Sequence, residues 1–460
     1  MAEASTSVSE PCVTDVAAFI DEQPIGRFQI RLLLTCAAVL LLDGFDTQGI
    51  GYVAPDLARD WNLARGALGP VFSAGLFGNM IGALLFGAIA DRIGRKRIIV
   101  LCTAAFGLGT LATVFAQDIT SLLVIRFLTG IGLGGALPNT IALISEFSPH
   151  RRRATMVMAM FVGFSVGSAL SGLLAAMLIP TFGWQSIFLV GGIAPFLLVP
   201  FLAARLPESV RFLALSGEAN ARVAELLKRV APTVRFPTAM RFEVHETTSV
   251  GPPIAHLFNE GRTLATLVLW AVFFMSLLDL YLWLNWLPTV VNDLGASITA
   301  AAAVGAMLQV GGIVGTLTLG QFIDRFSFRA LALAFLFAAI AIATVGFSGH
   351  SIAFAILATS CAGFFLVGGH VGAIALAAAC YPTMARSTGV GWAIGVGRVG
   401  SIVGPLIGGI MLARGMSAQS LFMVAAIPAL AASCAALVLA RMAPNTSATV
   451  SSTQVRPEAP

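Results

Sequence analysis

The sequence predicts an all-α integral membrane protein, with twelve transmembrane helices arranged as two pseudo-symmetric six-helix bundles. Three observations lead there. Hydrophobic residues make up 57% of the 460 and charged residues only 11%, with a mean hydropathy of +0.90, far outside the composition of soluble domains. Twelve apolar runs are each long enough to cross a hydrocarbon core of about 30 Å as a helix. The two halves of the chain also match each other at a fixed offset of 233 residues, the mark of a duplicated unit.

The first 28 residues are polar, carry Asp15, Asp21 and Glu22, and lack the basic-then-apolar order of a cleaved signal peptide. Residues 1–28 therefore read as a cytoplasmic tail. Runs at 30–55, 66–90, 97–116, 120–145, 155–179 and 184–205 supply six spans to a first bundle over 29–205. Residues 206–262 contain Pro207, Glu208, Arg211, Lys228, Arg229 and Pro252-Pro253 but no spanning run, and read as a cytoplasmic linker. Within it Val223, Leu226 and Leu227 recur at helical spacing, so a short amphipathic helix is expected at 219–230. Runs at 264–291, 298–322, 329–348, 351–378, 387–412 and 418–441 form a second bundle over 263–441. The Ser-, Thr- and Pro-rich 442–460 is expected to be a disordered cytoplasmic tail.

Of the 27 Lys and Arg residues, 22 fall on one side of this layout, three on the other (Arg59, Arg65, Arg414) and two inside spans (Arg126, Arg398). That asymmetry is the positive-inside rule, and it places both termini in the cytoplasm. The net charge of +5 is then a record of topology rather than of a nucleic-acid partner. Five of the six cysteines lie in apolar runs without metal-ligand spacing, so they read as packing residues, and neither metal nor cofactor is expected.

The internal repeat rests on residues that chance does not readily align in so apolar a chain. Asp46, Pro55 and Asp60 recur as Asp279, Pro288 and Asp293, and Gly87, Asp91 and Arg92 as Gly320, Asp324 and Arg325. Pro149 and Arg153 recur as Pro382 and Arg386. With six spans per copy the repeat keeps its orientation, so an axis along the membrane normal should relate the bundles. Asp46 and Asp279 are then expected to face a shared central cavity.

Asp43 and Asp46 stand in the middle of the first span, where a charge costs roughly 2.5–3.5 kcal/mol to insert. Arg31 precedes Asp43 by twelve residues, about 18 Å of helix, which puts the pair near the midplane. Two carboxylates on one face suit proton binding, so Asp43 and Asp46 are the proton-coupling candidates. Arg126 and Arg398 are membrane guanidinium groups that need a partner, either an anionic substrate held bidentately or those aspartates. In the seventh span Asp279, Tyr281 and Asn285, and in the tenth His370 after Gly368-Gly369, are candidate contacts for a planar hydroxylated ligand or for protons. Glu146, beside the cluster His150 to Arg153, reads as a gate or latch group.

The most specific local signal is Gly87-Ala-Ile-Ala-Asp91-Arg92-Ile-Gly94-Arg95-Lys96-Arg97 between the second and third spans. It resembles the cytoplasmic motif of the major facilitator superfamily, which the twelve spans, the duplication and the central linker also suit. The resemblance implies the major facilitator fold and a latch in which Asp91, Arg92 and Arg95, with Asp324 in the second half, take part in gating. A narrower resemblance, to the aromatic acid:proton symporter branch, is carried by several stretches. These are Asp43-Gly-Phe-Asp46, the run from Arg126 to Pro138-Asn139, Leu206-Pro-Glu-Ser, and Tyr381-Pro-Thr with Arg386, Gly389, Gly391 and Arg398. It covers nearly all of residues 20–440.

That resemblance implies import of benzoate-like or hydroxybenzoate-like ring acids across a bacterial inner membrane, driven by the proton gradient. It would make Asp43 and Asp46 transport carboxylates, Asp91 a gating residue, and Arg126, Glu146, Arg386 and Arg398 transport-relevant. His370 and Asp279 depart from the pattern, standing where Gln and an apolar residue are expected. The reading is of a monomeric, non-enzymatic carrier whose partners are protons, lipid and a small aromatic carboxylate such as benzoate, hydroxybenzoate, protocatechuate or gallate. The alternatives are a proton-coupled exporter of aromatic or drug-like compounds, a carrier for another organic anion, and a membrane sensor. The span Gly163-Phe-Ser-Val-Gly167 lacks the Gly-Pro pair of drug antiporters, although Gly404-Pro405 in the eleventh span partly echoes it.

Overall fold

The structure, a computed structural model, describes residues 13–64, 66–215, 220–232, 234, 241–243, 257–259, 261–348, 351–377, 380–381 and 386–442. In chain order it comprises β1 (Val13–Asp15), α1 (Val16–Glu22), α2 (Arg27–Asp60), α3 (Gly69–Ile93), α4 (Arg95–Thr113), α5 (Ile119–Glu146), α6 (His150–Phe182) and α7 (Gln185–Arg205). There follow α8 (Val210–Leu215), α9 (Asn220–Val230), β2 (Arg241–Glu243), α10 (Thr263–Asp293), α11 (Ile298–Phe326), α12 (Phe328–Val345), α13 (Ile352–Ala377), α14 (Arg386–Ala413) and α15 (Ala418–Met442). Twelve of these, α2 to α7 and α10 to α15, are long and apolar enough to cross a membrane. Helices satisfy every interior backbone group locally, which hydrocarbon demands.

Local chemistry sets the helix ends. At the start of α5 the Asp118 carboxylate accepts the Ser121 amide at 2.7 Å while the Ser121 hydroxyl accepts the Asp118 amide at 3.2 Å, a reciprocal capping box. The Ser121 amide, followed by the Ser121 hydroxyl, holds the exposed Asp118 carboxyl below the usual range. The sharp turn between α3 and α4 needs Gly94, whose φ of 99° lies in the left-handed region.

Within the first bundle α2 packs on α6, α3 on α5, and α4 on α5 and α7; in the second, α10 packs on α14, α11 on α13, and α12 on α13 and α15. The duplication is visible in individual contacts. Gly167 presses on the Leu41 carbonyl with no room for a Cβ, and Gly400 presses in the same way on that of Phe274. Gly82 and Ile131 make the same contact as Gly315 and Phe364, and Gly78 and Phe127 the same as Gly311 and Ser360. In all three pairs every residue has moved on by 233. Absent side chains let helix backbones approach, the usual means of packing in lipid.

The bundles meet along three helix pairs, α6 with α11, α3 with α14 and α2 with α10. At the end away from the basic loops they are in contact. The Trp286 ring, anchored within the second bundle by donating to the Pro405 carbonyl at 2.9 Å, meets Phe72 of the first bundle edge-on at 5.0 Å, and Arg59 donates across to Asn292 at 2.7 Å. At the basic end, a Cβ on Gly87 or on Gly320 would have no heavy atom within 4 Å. The bundles are therefore closed at one end and parted at these glycines at the other.

A collar sits at the basic end of the first bundle. Within the stretch read as a tail, residues 13–22 have structure of their own: β1 pairs in parallel with β2, and Val16 and Ile20 of α1 join Val210, Val223, Leu227, Leu32 and Cys36 in one apolar cluster. The amphipathic helix within the linker runs over Asn220–Val230. Residues 216–219 and 244–256 of the linker and the tail from 443 lie outside the described residues.

Candidate transport site

Asp46, 1% exposed on α2, is held on both carboxylate oxygens. Arg126 on α5 grips it with two parallel bonds, Nη1 to Oδ1 at 3.0 Å and Nη2 to Oδ2 at 2.8 Å, and the Thr110 hydroxyl on α4 donates to Oδ1 at 2.6 Å. The guanidinium also lies 5.6 Å from the centroid of the Phe188 ring on α7. This fork geometry is the strongest neutralisation a buried carboxylate can receive from one side chain. Of the two arrangements the sequence leaves open for Arg126, the structure contains the ion pair with an aspartate.

Asp43 is treated differently, although it lies on the same helix and is 3% exposed. Its Oδ1 accepts the Thr47 hydroxyl at 3.0 Å, and it lies within electrostatic range of Asp46 and of Arg398 from the opposite bundle. Three residues along a helix leave about 60° between two side chains, enough to send Asp46 into the first bundle and leave Asp43 beside the interface.

Arg398, half-buried on α14, donates to the Asn79 side-chain oxygen on α3. Among the described residues no carboxylate forms an ion pair with it. Tyr281 on α10 lies within electrostatic range of both Arg398 and Asp43. Thr47, Phe72, Asn79, Arg126 and Asn285 line a small pocket between α2, α3, α5 and α10. Asn285 donates to the Tyr281 carbonyl at 2.7 Å, which leaves its own carbonyl oxygen as an acceptor. The structure thus brings Asp43, Arg398, Tyr281, Asn285 and Arg126 to one level between the bundles.

The remaining candidates lie apart from this group. His370 on α13 contacts Ser276 of α10 through Nδ1 at 3.0 Å and meets Phe273 edge-on, inside the second bundle. Asp279 is 0% exposed, and neither carboxylate oxygen has a hydrogen-bond partner. At the basic end Arg95 contacts Glu146 and lies 3.8 Å from Asp91, while Ser209 donates to the other Glu146 oxygen at 2.6 Å. Glu208 accepts the Lys96 amide at 3.1 Å, so the first turn after α7 is tied to the start of α4. Arg92 is exposed beside this knot, in a surface pocket with Asp91 and Arg211. The side chains of Asp324 and Arg386 lie outside the described residues.

Sequence reasoning missed Asn79 and Thr110. Asn79 is the one amide in its apolar span and Thr110 one of three threonines in its own, and neither carries a charge that marks it out. It also gave no role to Phe72, which closes the pocket against Trp286.

A family model described as the Major Facilitator Superfamily matches residues 36–343 and 269–459. A gallate transporter of Pseudomonas putida is 42% identical, over 92% of this chain and 94% of its own. A 4-hydroxybenzoate transporter, PcaK, of Pseudomonas aeruginosa is 40% identical over 92% and 95%, and a 3-(3-hydroxy-phenyl)propionate transporter of Escherichia coli is 38% identical over 89% and 94%. Among solved structures, a partially occluded inward-open conformation of the xylose transporter XylE from E. coli superposes with a TM-score of 0.71, covering 92% of this chain and 99% of that one at 18% identity. At that identity the likeness concerns the fold.

Proposed function

Since the chain belongs to the Major Facilitator Superfamily, aligning over nearly its whole length with aromatic-acid transporters, we propose that it is a proton-coupled importer of an aromatic carboxylate of the hydroxybenzoate or gallate class. The observation that carries this reading is Arg398, a guanidinium between the bundles with no carboxylate bonded to it among the described residues, facing Asp43 and Tyr281. Arg126 is already neutralised by Asp46, so Arg398 is the group with charge to offer an anion.

Coupling follows from competition for that charge. An ionised Asp43 and a substrate carboxylate both seek Arg398, and burying both anions against one cation leaves an uncompensated charge in a region of low dielectric. A proton on Asp43 removes the competitor, so proton and anion bind together. Asn79 orients the guanidinium, the Tyr281 ring flanks the substrate ring, and the Asn285 carbonyl oxygen accepts a ring hydroxyl. The basic end is taken as cytoplasmic, and the collar knot of Asp91, Arg95 and Glu146, with Asp324 and Arg386 opposite, controls its closure. Release toward the more alkaline side then deprotonates Asp43 and frees the anion.

Substrate binding to the purified protein tests this. Affinity for gallate or 4-hydroxybenzoate should fall with rising pH in the wild type and change far less in Asp43→Asn. An identical pH dependence in both would remove Asp43 from the coupling scheme.

A further inference from the structure

We infer that Asp279 is a second proton-binding carboxylate, housed in the second bundle and separate from Asp43; the inference rests on the transport reading above. Its setting is best seen through the repeat. The glycine-to-carbonyl contacts show that the helix pairs α10–α14 and α11–α13 reproduce the pairs α2–α6 and α3–α5 at an offset of 233. Asp279 is the counterpart of Asp46, and the groups that neutralise Asp46 map to positions where the chemistry is gone. Thr110 corresponds to Ala343, Arg126 to Thr359 and Phe188 to Leu421. The second bundle keeps the acid and has lost the hydroxyl, the guanidinium and the aromatic face.

The consequence is visible in two independent places. Both oxygens of Asp279 are buried without a partner, and so is the hydroxyl of Thr359 where the arginine would stand. An unpaired ionised carboxylate in such a place is far more costly than its protonated form, so in this conformation, parted at the basic end, Asp279 carries a proton.

The surroundings also supply a route. Ser276, one turn before Asp279 on the same helix, touches His370 Nδ1 at 3.0 Å, and His370 is only half-buried. The ionisable groups in the middle turns of the helices packed on α10 are Cys36, Asp43, Asp46 and Tyr52 of α2, His370 and the exposed Cys361 of α13, and Arg398 of α14. The middle turns of α11 carry none, and α15 carries only the exposed Cys434. Among the described residues no ion pair joins any of these to Asp279, so the movement that parts the outer contacts is what admits water to it. One proton is taken up at Asp279 from the outer side, is still held in the conformation described, and then leaves through Ser276 and the half-buried His370 to water on the basic side, while Asp43 carries its own.

The test is charge stoichiometry. A carboxylate carried with two protons moves one net positive charge, whereas with one proton it moves none. In proteoliposomes with a clamped potassium potential, wild-type uptake of labelled 4-hydroxybenzoate should accelerate several-fold at an inside-negative potential, with two protons entering per substrate. Asp279→Asn should carry one proton and become indifferent to the potential. Thr359→Arg, which supplies a fixed counter-charge, should have the same effect if Asp279→Asn is not recovered folded. A wild-type ratio of one, or potential-driven uptake that persists in Asp279→Asn, would overturn the inference while leaving proton-coupled import intact. A wild type that takes up no protons with substrate would instead sink the transport reading itself.

Discussion

Removing the carboxylate charge at Asp46 should be among the most damaging conservative changes in the protein, and the structure gives the reason. Arg126 is 4% exposed and directs two bonds, of 3.0 and 2.8 Å, into Asp46. Asp46→Asn keeps the shape but strands the guanidinium, and breaking a buried pair on one side costs about 3–5 kcal/mol. Arg126→Gln strands the acid instead and also loses the Phe188 contact, adding about 0.5–2 kcal/mol. The double variant strands neither charge, so its cost should fall short of the sum by about 2 kcal/mol or more, toward the upper range for directly bonded residues. Equilibrium unfolding of the four proteins in detergent gives the coupling energy directly. Strictly additive costs, or an Asp46→Asn penalty under about 1 kcal/mol, would show that the pair does not hold the first bundle together.

Other consequences are more local. Arg398→Lys keeps the charge but loses the planar fork, and losing a charge-assisted bond of about 1.5–3 kcal/mol should weaken substrate binding roughly 10- to 150-fold by calorimetry; unchanged affinity would exclude bidentate recognition. Asp43→Asn should abolish accumulation against a gradient while substrate exchange across the membrane continues; accumulation that survives would place coupling elsewhere. Gly167→Ala drives a methyl group into the Leu41 carbonyl and should cost about 1–3 kcal/mol. Gly87→Ala meets open space and should change stability by less than about 0.5 kcal/mol. Equal melting behaviour of those two variants would contradict the packing described.

The fold was legible because its signals are redundant. Hydrocarbon length counts twelve spans, a repeat anchored on Asp, Pro and Arg groups them into two copies, and the glycine contacts obey the same offset residue by residue. The site was legible as a set of charged residues but not as a set of pairings. Asp43 and Asp46 look equivalent in sequence; what separates them is that α4 and α5 bring Thr110 and Arg126 to one and not the other. Asn79 was missed because a single amide in an apolar run carries no periodic or charge signal. The pairing of residues 13–15 with 241–243 joins segments too short and too distant in the chain to announce themselves. Asp279 is the instructive case. Its isolation was available from the sequence by carrying Thr110 and Arg126 forward by 233, yet the meaning of Ala343 and Thr359 depends on knowing that the first-bundle residues touch Asp46.

The central claim, that an inward proton gradient drives an aromatic carboxylate through the interface between Asp43 and Arg398, is tested most directly by uptake into proteoliposomes holding only this protein. With the interior more alkaline, labelled 4-hydroxybenzoate or gallate should rise transiently above its external concentration, and a protonophore should collapse that excess to equality. Uptake that only equilibrates, or that a protonophore leaves unchanged, would contradict the account.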